Sequence, residues 1–327
     1  MDGNYSCKII IRWLSDLKII NHSIVTELIS MELAYHSVES VMKMQSEGSV
    51  YLKSRTTKSF GDSKLLADMT ASIPGMNVFG IKHYVVNNGN YFYYIYLYDF
   101  REKNLLAILE AEEIGRYRTA AVTALAINKL RTNNMHNLAI IGTGFQAQQQ
   151  LKSVIAANPD FKKIFIFSPN KSRRTKFVMN FRKLFSKQEF VNCDSMKDAL
   201  IDSDVIITAT NSSSPVINYD HLKDQYLIIG MGAATPYYIE IDEKTIANCN
   251  LVIADDIDQA KLESGDLLNP VSKGLLQWKD VIYFSDIFKP EFKLSYEKNK
   301  IFFKSLGIAT WDVSIANDIY KKFINSN

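Results

Sequence analysis

The chain has 327 residues, 47% of them hydrophobic and 22% charged. At ~100–200 residues per domain this length predicts two domains with sizeable cores. Thirty-eight Lys and Arg against 35 Asp and Glu leave a formal charge of +3. That surplus excludes nucleic-acid binding by bulk charge, and no basic stripe supplies it locally. Fourteen Gly and seven Pro exclude collagen-like and low-complexity chains. Cys7, Cys193 and Cys249 are odd in number and match no CxxC metal spacing. They read as small core residues of a reduced, cytoplasmic protein. The stretch Cys7–Ile20 is interrupted by Lys8, Arg12, Asp16 and Lys18, so it lacks a signal-peptide core. No apolar run approaches the ~18 residues a membrane span needs, and a membrane partner is not expected.

In chain order, the first element expected is one long helix. Ile24, Val25, Leu28, Leu33, Val38, Val41 and Met42 recur at helical spacing, and Gly48 is its stop signal. Strands come next at Val50–Lys53, Leu65–Ser72, Val78–Val86, Tyr91–Tyr98 and Leu105–Leu109. Turn residues separate them, among them Gly61-Asp62, Pro74-Gly75 and Asn87-Asn88-Gly89-Asn90, as in an antiparallel meander. The run Tyr91–Tyr98 is nearly all aromatic, so both of its faces are expected to be covered, one of them by a partner subunit. Residues 112–132 form an Ala-rich helix with Arg116 and Arg118 near its start, where the positive helix end reinforces their pull on an anion.

From residue 137 strand and helix alternate. Strand Asn137–Ile141 runs into Gly142-Thr143-Gly144-Phe145-Gln146-Ala147 and a helix to Ala157. Strand Lys163–Phe167 and a basic helix from Lys171 succeed it. Val205–Thr210, Tyr226–Gly230, Asn250–Ala254 and Ile301–Leu306 complete the set of expected buried strands, and a helix over Thr310–Phe323 closes the chain against the first domain. Strands joined by helical crossovers specify an α/β fold with a doubly wound parallel sheet.

The motif GxGxxA stands in the context that gives it meaning, directly after an apolar strand and at the mouth of a helix. Gly142 permits the tight turn, Gly144 admits a pyrophosphate, and Ala147 allows close helix–strand packing. The phosphates would rest on backbone N–H groups at the helix start, around Thr143, Phe145 and Gln146. At the end of the second strand an NAD site usually carries Asp or Glu for the ribose. Here the chain reads Phe167-Ser168-Pro169-Asn170-Lys171-Ser172-Arg173-Arg174. A hydroxyl and cations replace the acid, which favours NADP(H) over NAD(H) with Ser168, Asn170, Lys171 and Arg173 as contacts.

These motifs resemble the ornithine cyclodeaminase/mu-crystallin family. The resemblance rests on Arg118-Thr119-Ala120-Ala121, the glycine turn, Thr208-Ala209-Thr210, Gly230-Met231-Gly232-Ala233 with Pro236 and Glu240, and Ser305-Leu306-Gly307. It implies a substrate-binding and dimerisation domain of α+β type over 1–130, completed by 305–327, and a Rossmann domain over 131–304. It implies a homodimer, and a cofactor held also by Thr119, Thr208, Ala209, Thr210, Met231, Gly232 and Gly307. It further implies that Arg55, Lys82 and Arg118 bind the carboxylate of an amino or imino acid, with Lys82 and Arg118 catalytic. A small carboxylate needs fixed cations, and a Lys in an apolar strand is costly without a partner. His83 is the residue after Lys82 and faces the other side of its strand, so it reads as structural. The role of Asp312 stays open between capping the last helix and reaching the nicotinamide.

Two departures bear on function. Where ornithine cyclodeaminases carry acids for the substrate's amino groups, the resemblance places Ala234 and Ala67; Asp68 is adjacent but on the other face of its strand. The chain is therefore read as an NAD(P)H-dependent reductase of a small imino or keto acid, an oxidoreductase acting on CH–NH or C=N bonds. The alternatives are a cyclodeaminase-like lyase that uses bound NAD, and a mu-crystallin-like protein that binds NADPH and a small ligand. No histidine pair has metal-ligand spacing, and no metal is expected.

Overall fold

The computed structural model describes residues 17–61, 64–232, 234–294 and 299–326; Cys7, Asp62 and Ala233 lie outside them. The chain divides into two compact units, one ending at Arg118 and resuming at Ile308, the other spanning Thr119–Gly307. Both seams differ from the expected 130/131 and 304/305. The first falls inside a continuous helix whose Ala-rich sequence carries no break at residue 118.

The first unit begins with strand β1 (Lys18–Ile20) and helices α1 (His22–Leu28) and α2 (Met31–Ser46). The single long helix expected from periodicity is thus two. Ile29 and Ser30 are extended, and the Ser30 hydroxyl accepts the Leu33 N–H at 3.1 Å. A serine that satisfies an orphan N–H restarts a helix even when the apolar spacing runs on through it. Gly48, with φ of 72°, stands just past the end of α2 in the left-handed region.

Five strands then form a meander: β2 (Tyr51–Ser59), β3 (Lys64–Ile73), β4 (Val78–Asn87), β5 (Asn90–Asp99) and β6 (Leu105–Glu110). They pair antiparallel in sequence order, and β1 joins β6 in parallel at the edge. The two-residue turn between β4 and β5 is Asn88-Gly89, both left-handed, which matches the twist of the hairpin. Side chains alternate. Ala67, Met69, Ala71, Gly80, Lys82, Ile95, Leu97 and Ala107 are buried, while Asp68, His83, Tyr94, Tyr96 and Tyr98 occupy the other face. Among the described residues one face of β5 is the more deeply covered, with Ile95 and Leu97 buried, and Tyr91 and Phe92 at its start are 55% and 53% exposed. The C-terminal helix, Ala309–Ser326, packs against α2 and the buried face of β3 and β4. Gly80 makes that approach possible, since a Cβ there would stand 2.9 Å from Val313 Cγ2.

The helix α3 (Glu112–Leu130) contributes its start to the first unit and its remainder to the second. The second unit holds an eight-stranded sheet: β7 (Asn137–Ile141), β8 (Lys163–Phe167), β9 (Glu189–Asn192), β10 (Val205–Thr208), β11 (Tyr226–Gly230), β12 (Leu251–Ala254), β13 (Val281–Tyr283) and β14 (Lys300–Lys304). All pairs are parallel, in the order β13-β12-β14-β11-β10-β7-β8-β9. This is the expected doubly wound α/β sheet. The two unexpected strands, β9 and β13, are short edge strands. β14 ends at Lys304 rather than Leu306 because the buried Asp255 carboxylate captures the next three residues. Its Oδ2 accepts from Ser305 Oγ, Leu306 N and Gly307 N at 3.1, 2.7 and 2.6 Å. Cys193 and Cys249 are free thiols pushed up to about 11 and about 12 by burial, which suits core residues.

Candidate active site and cofactor cavity

In the second unit the chain order reverses between β10 and β7, the place where open α/β sheets bind ligands at their carboxyl ends. A cavity of about 540 Å³ opens there. The glycine loop forms its floor: Gly142, Thr143 and Gly144 lead into α4 (Phe145–Ala157), with Phe145 and Gln146 also in the wall. Gly142 has φ of 111°, and a Cβ on it would lie 2.6 Å from Ala209 O. Gly144 is the residue before the helix and has nothing within 4 Å of a built Cβ. Its lack of a side chain therefore leaves open space against the first N–H groups of α4, the cradle a pyrophosphate requires.

Ser168, Asn170 and Arg173 form the second wall, and Ala209, Thr210, Met231 and Gly232 the third. Ser168 Oγ lies 2.9 Å from Thr143 Oγ1, so the two hydroxyls fix one another. The Asn170 carboxamide accepts the Arg173 N–H at 2.9 Å and caps α5 (Lys171–Leu184). Of the cations near this strand end, Arg174 is turned inward. It donates to Ser168 O, Asn192 Oδ1 and Asp194 Oδ1 at 2.7, 2.6 and 2.9 Å and belongs to the fold. A second cavity of about 510 Å³ shares Thr143 and Arg173 with the first and adds Lys152, Lys176 and Lys183.

Four residues expected at the cofactor lie outside this lining. Lys171 is exposed at the start of α5, Thr208 is buried within β10, Thr119 stands on α3, and the Gly307 N–H is engaged by Asp255. The lining also takes in Pro169 and Asn211, which no motif signalled. Glu240 holds the third wall together. Its fully buried carboxylate accepts from Thr210 N and Oγ1 at 2.7 and 2.8 Å and from Gly232 N at 2.9 Å. A Cβ on Gly232 would strike the Thr210 backbone and stand 2.6 Å from Glu240 Oε1.

The first unit gathers a cluster of charges. Lys82, on the buried face of β4, is 3% exposed, and its Nζ donates to Asp312 Oδ1 at 2.6 Å. Asp312 is fully buried in the first turn of the C-terminal helix. Arg118 Nε lies 3.8 Å from the same oxygen, with its guanidinium 5.7 Å from the Trp311 ring centre. Burial, above all, pulls Lys82 down to about 8; Asp312 opposes this, while Arg118 and Arg55 add to it. Arg55 sits where the β2–β3 register shifts between Lys53 and Thr56, a bulge of the kind that re-aims side chains beside active sites. Lys82 and Arg118 thus converge on one carboxylate, with Arg55 close enough to act on Lys82. Arg116, grouped with Arg118 by sequence, instead pairs with Glu113. His83 and Asp68 bond to each other at 2.7 Å on the opposite face of the sheet. Asp312 is the residue that sequence reasoning left without a role. Its only signal was an acid at the start of an otherwise apolar helix.

A profile of the ornithine cyclodeaminase/mu-crystallin family matches residues 17–327. The chain belongs to that family. Among its relatives, the Delta(1)-pyrroline-2-carboxylate reductase of Bacillus cereus (strain ZK / E33L) is 30% identical over 233 residues, 70% of each chain. The ketimine reductase mu-crystallin of Macropus fuliginosus is 28% identical over 226 residues, covering 69% of this chain and 68% of its own. The Delta(1)-pyrroline-2-carboxylate reductase of Thermococcus litoralis, solved with NADH and L-proline, shares the fold: TM-score 0.86 at 23% identity, over 94% of this chain and 98% of that one. Ala67 is buried on the Lys82 face of β3, and Ala234 packs on the core of the second unit.

Proposed function

We propose that the chain is an NAD(P)H-dependent reductase that converts a small α-imino acid to the amino acid. The observation that carries this reading is the pairing of Lys82 and Arg118 with Asp312, with Arg55 acting on Lys82. Two cations on one carboxylate leave positive charge in a mostly buried site, which is the requirement for drawing in a substrate carboxylate. Arg118 and Arg55 would hold that carboxylate. The names of the relatives, reductases of pyrroline-2-carboxylate and of ketimines, support the imine as the reducible group. Ala67 and Ala234, small where ornithine chemistry calls for carboxylates, argue against the lyase.

The glycine loop, the open space at Gly144 and the walls at Ser168 and Thr210 fit a dinucleotide. When bound, it supplies the hydride that reduces the C=N carbon. The chain's own part is binding and proton handling. Lys82 Nζ carries a proton that burial makes easy to give up near neutral pH, so it serves as donor to the imine nitrogen. NADP(H) is favoured over NAD(H). Ser168 and Arg173 stand in the cavity wall, no carboxylate lines it, and the adjoining cavity adds three lysines to the local potential. A homodimer would cover the half-exposed outer sheet face of Tyr94, Tyr96 and Tyr98. Light scattering that reports a monomer at micromolar concentration would refute this assembly.

The deciding assay is cofactor oxidation with pyrroline-2-carboxylate, piperideine-2-carboxylate, and a keto acid with an amine, each with NADPH and NADH. Turnover of a cyclic imine with preference for NADPH is expected. Ammonia release from ornithine without net cofactor use would replace the reductase with a lyase.

A further inference from the structure

Asp312 is an odd occupant of its position. It is fully buried in the first turn of a helix whose face otherwise presents Trp311, Val313, Ile315 and Ala316 to the core. Capping does not explain it. Its Oδ1 receives Lys82 Nζ, and its Oδ2, also buried, accepts no hydrogen bond among the described residues. A carboxylate in such a place is costly unless another group needs its charge.

The surroundings of Lys82 show the need. From α3, Arg118 and the backbone of Gly115 face it; a Cβ on Gly115 would lie 3.4 Å from Nζ. From β2, Arg55 acts on it, and from β5 the Tyr93 ring centre is 5.3 Å away. Its register partners, Met69 on β3 and Ile95 on β5, are apolar. Asp312 is the one charged group among these that stabilises the ammonium, with a weaker attraction from the Tyr93 ring face; burial and both guanidiniums favour the neutral amine. The backbone is arranged to bring it there. Gly80 lies two residues before Lys82 on the same strand face and gives Val313 its close seat, which sets the adjacent Asp312 against Nζ.

We propose that Asp312 is the positioning residue of the site: it places the Lys82 ammonium and keeps it charged. The kinetic side of the claim rests on Lys82 as proton donor, whereas the ionisation of Lys82 can be read without turnover. With Asp312→Asn the charge that opposes burial and both guanidiniums is gone, so the Lys82 titration moves to lower pH. With Asp312→Glu the charge is retained but its place is shifted by one methylene.

The test uses 15N-lysine-labelled full-length protein, with the Lys82 signal identified by its loss in Lys82→Met. In the absence of cofactor and substrate, Asp312→Asn should move the Lys82 titration down by at least about one pH unit, and Asp312→Glu should leave it near that of the parent. In turnover of pyrroline-2-carboxylate with NADPH, the alkaline limb of kcat/KM should shift in the same direction for Asp312→Asn. For a one-unit shift roughly twofold activity should be lost at pH 7 and nearly tenfold at pH 9, with the loss regained toward pH 6. Asp312→Glu should lower kcat without moving that limb. An unchanged Lys82 titration in Asp312→Asn overturns the proposal, as does an activity loss equal at every pH. If Asp312→Asn does not fold, a Lys82 titration shifted in Asp312→Glu overturns it and one held in place supports it. A shifted titration with no effect on the kinetic limb would spare Asp312 and remove Lys82 as the donor.

Discussion

The two units present positive potential in opposite materials. Around the cavity of Thr119–Gly307 it comes mainly from backbone, the glycine loop and the first N–H groups of α4, with Glu240 bracing Thr210 and Gly232. In the other unit it comes from side chains: Lys82 and Arg118, held against Asp312, with Arg55 acting on Lys82. The first N–H groups of a helix lack intrahelical partners and carry no net charge to bury, so the first site needs space and a given φ more than it needs charged side chains. Buried ammonium and guanidinium groups need a counter-ion, so the second site must import an acid of its own.

If that contrast is right, substitutions should separate the two. The largest effect belongs to the charge cluster. Arg118→Ala should cost about 2–5 kcal/mol of transition-state stabilisation, roughly thirtyfold to several thousandfold in kcat/KM for a cyclic imino acid. NADPH affinity, read by fluorescence titration, should hardly change. A matching loss of NADPH affinity would show that the two sites are not independent.

Next come the glycines, which test space against strain. Gly142→Ala meets both the positive φ and the Ala209 carbonyl, so it should destabilise the fold by about 2 kcal/mol or more as well as weaken the cofactor. Gly144→Ala has ordinary φ and free space, so thermal unfolding should stay within about 1 kcal/mol while NADPH binding falls at least tenfold. Equal destabilisation by both would mean that Gly144 is there for the turn and not for a ligand.

The proton comes third. With Lys82 held near 8, it is the charged acid below that pH and the neutral amine above it. The kcat/KM profile should therefore fall as pH rises through about 8, tending to tenfold per pH unit beyond it. A profile flat from pH 6 to 10 would remove Lys82 from the chemistry. The smallest expected effect is cofactor choice. Ser168→Asp places a carboxylate beside Thr143 and near Arg173, so the NADPH-to-NADH affinity ratio should drop by about tenfold, one charge-assisted contact. A ratio that does not move would place the 2′-phosphate elsewhere.

Much of this was legible locally. The meander was readable from β-branched and aromatic runs between Asn, Gly and Pro turns, and the parallel sheet from strands spaced by helices. The glycine loop was readable because its chemistry lies in consecutive residues. What misled was also local. An apolar period ran through Ile29 and Ser30, where a hydroxyl restarts the helix, and Lys171 was grouped with Arg173 although Arg173 lines the cavity and Lys171 does not.

By itself the sequence determined the classes of element, the GxGxxA turn and the residue types of the carboxylate clamp, since each depends on neighbours a few positions apart. It could not show that Lys82 meets a carboxylate 230 residues away. Nor could it show that Asp255 ends β14 or that Glu240 ties Thr210 to Gly232. Those pairings depend on which helix seats on which strand face, and that is set by packing at points such as Gly80 and Val313. Tertiary structure decided them because the energy of a buried charge depends on what surrounds it in space, and only folding brings those groups together.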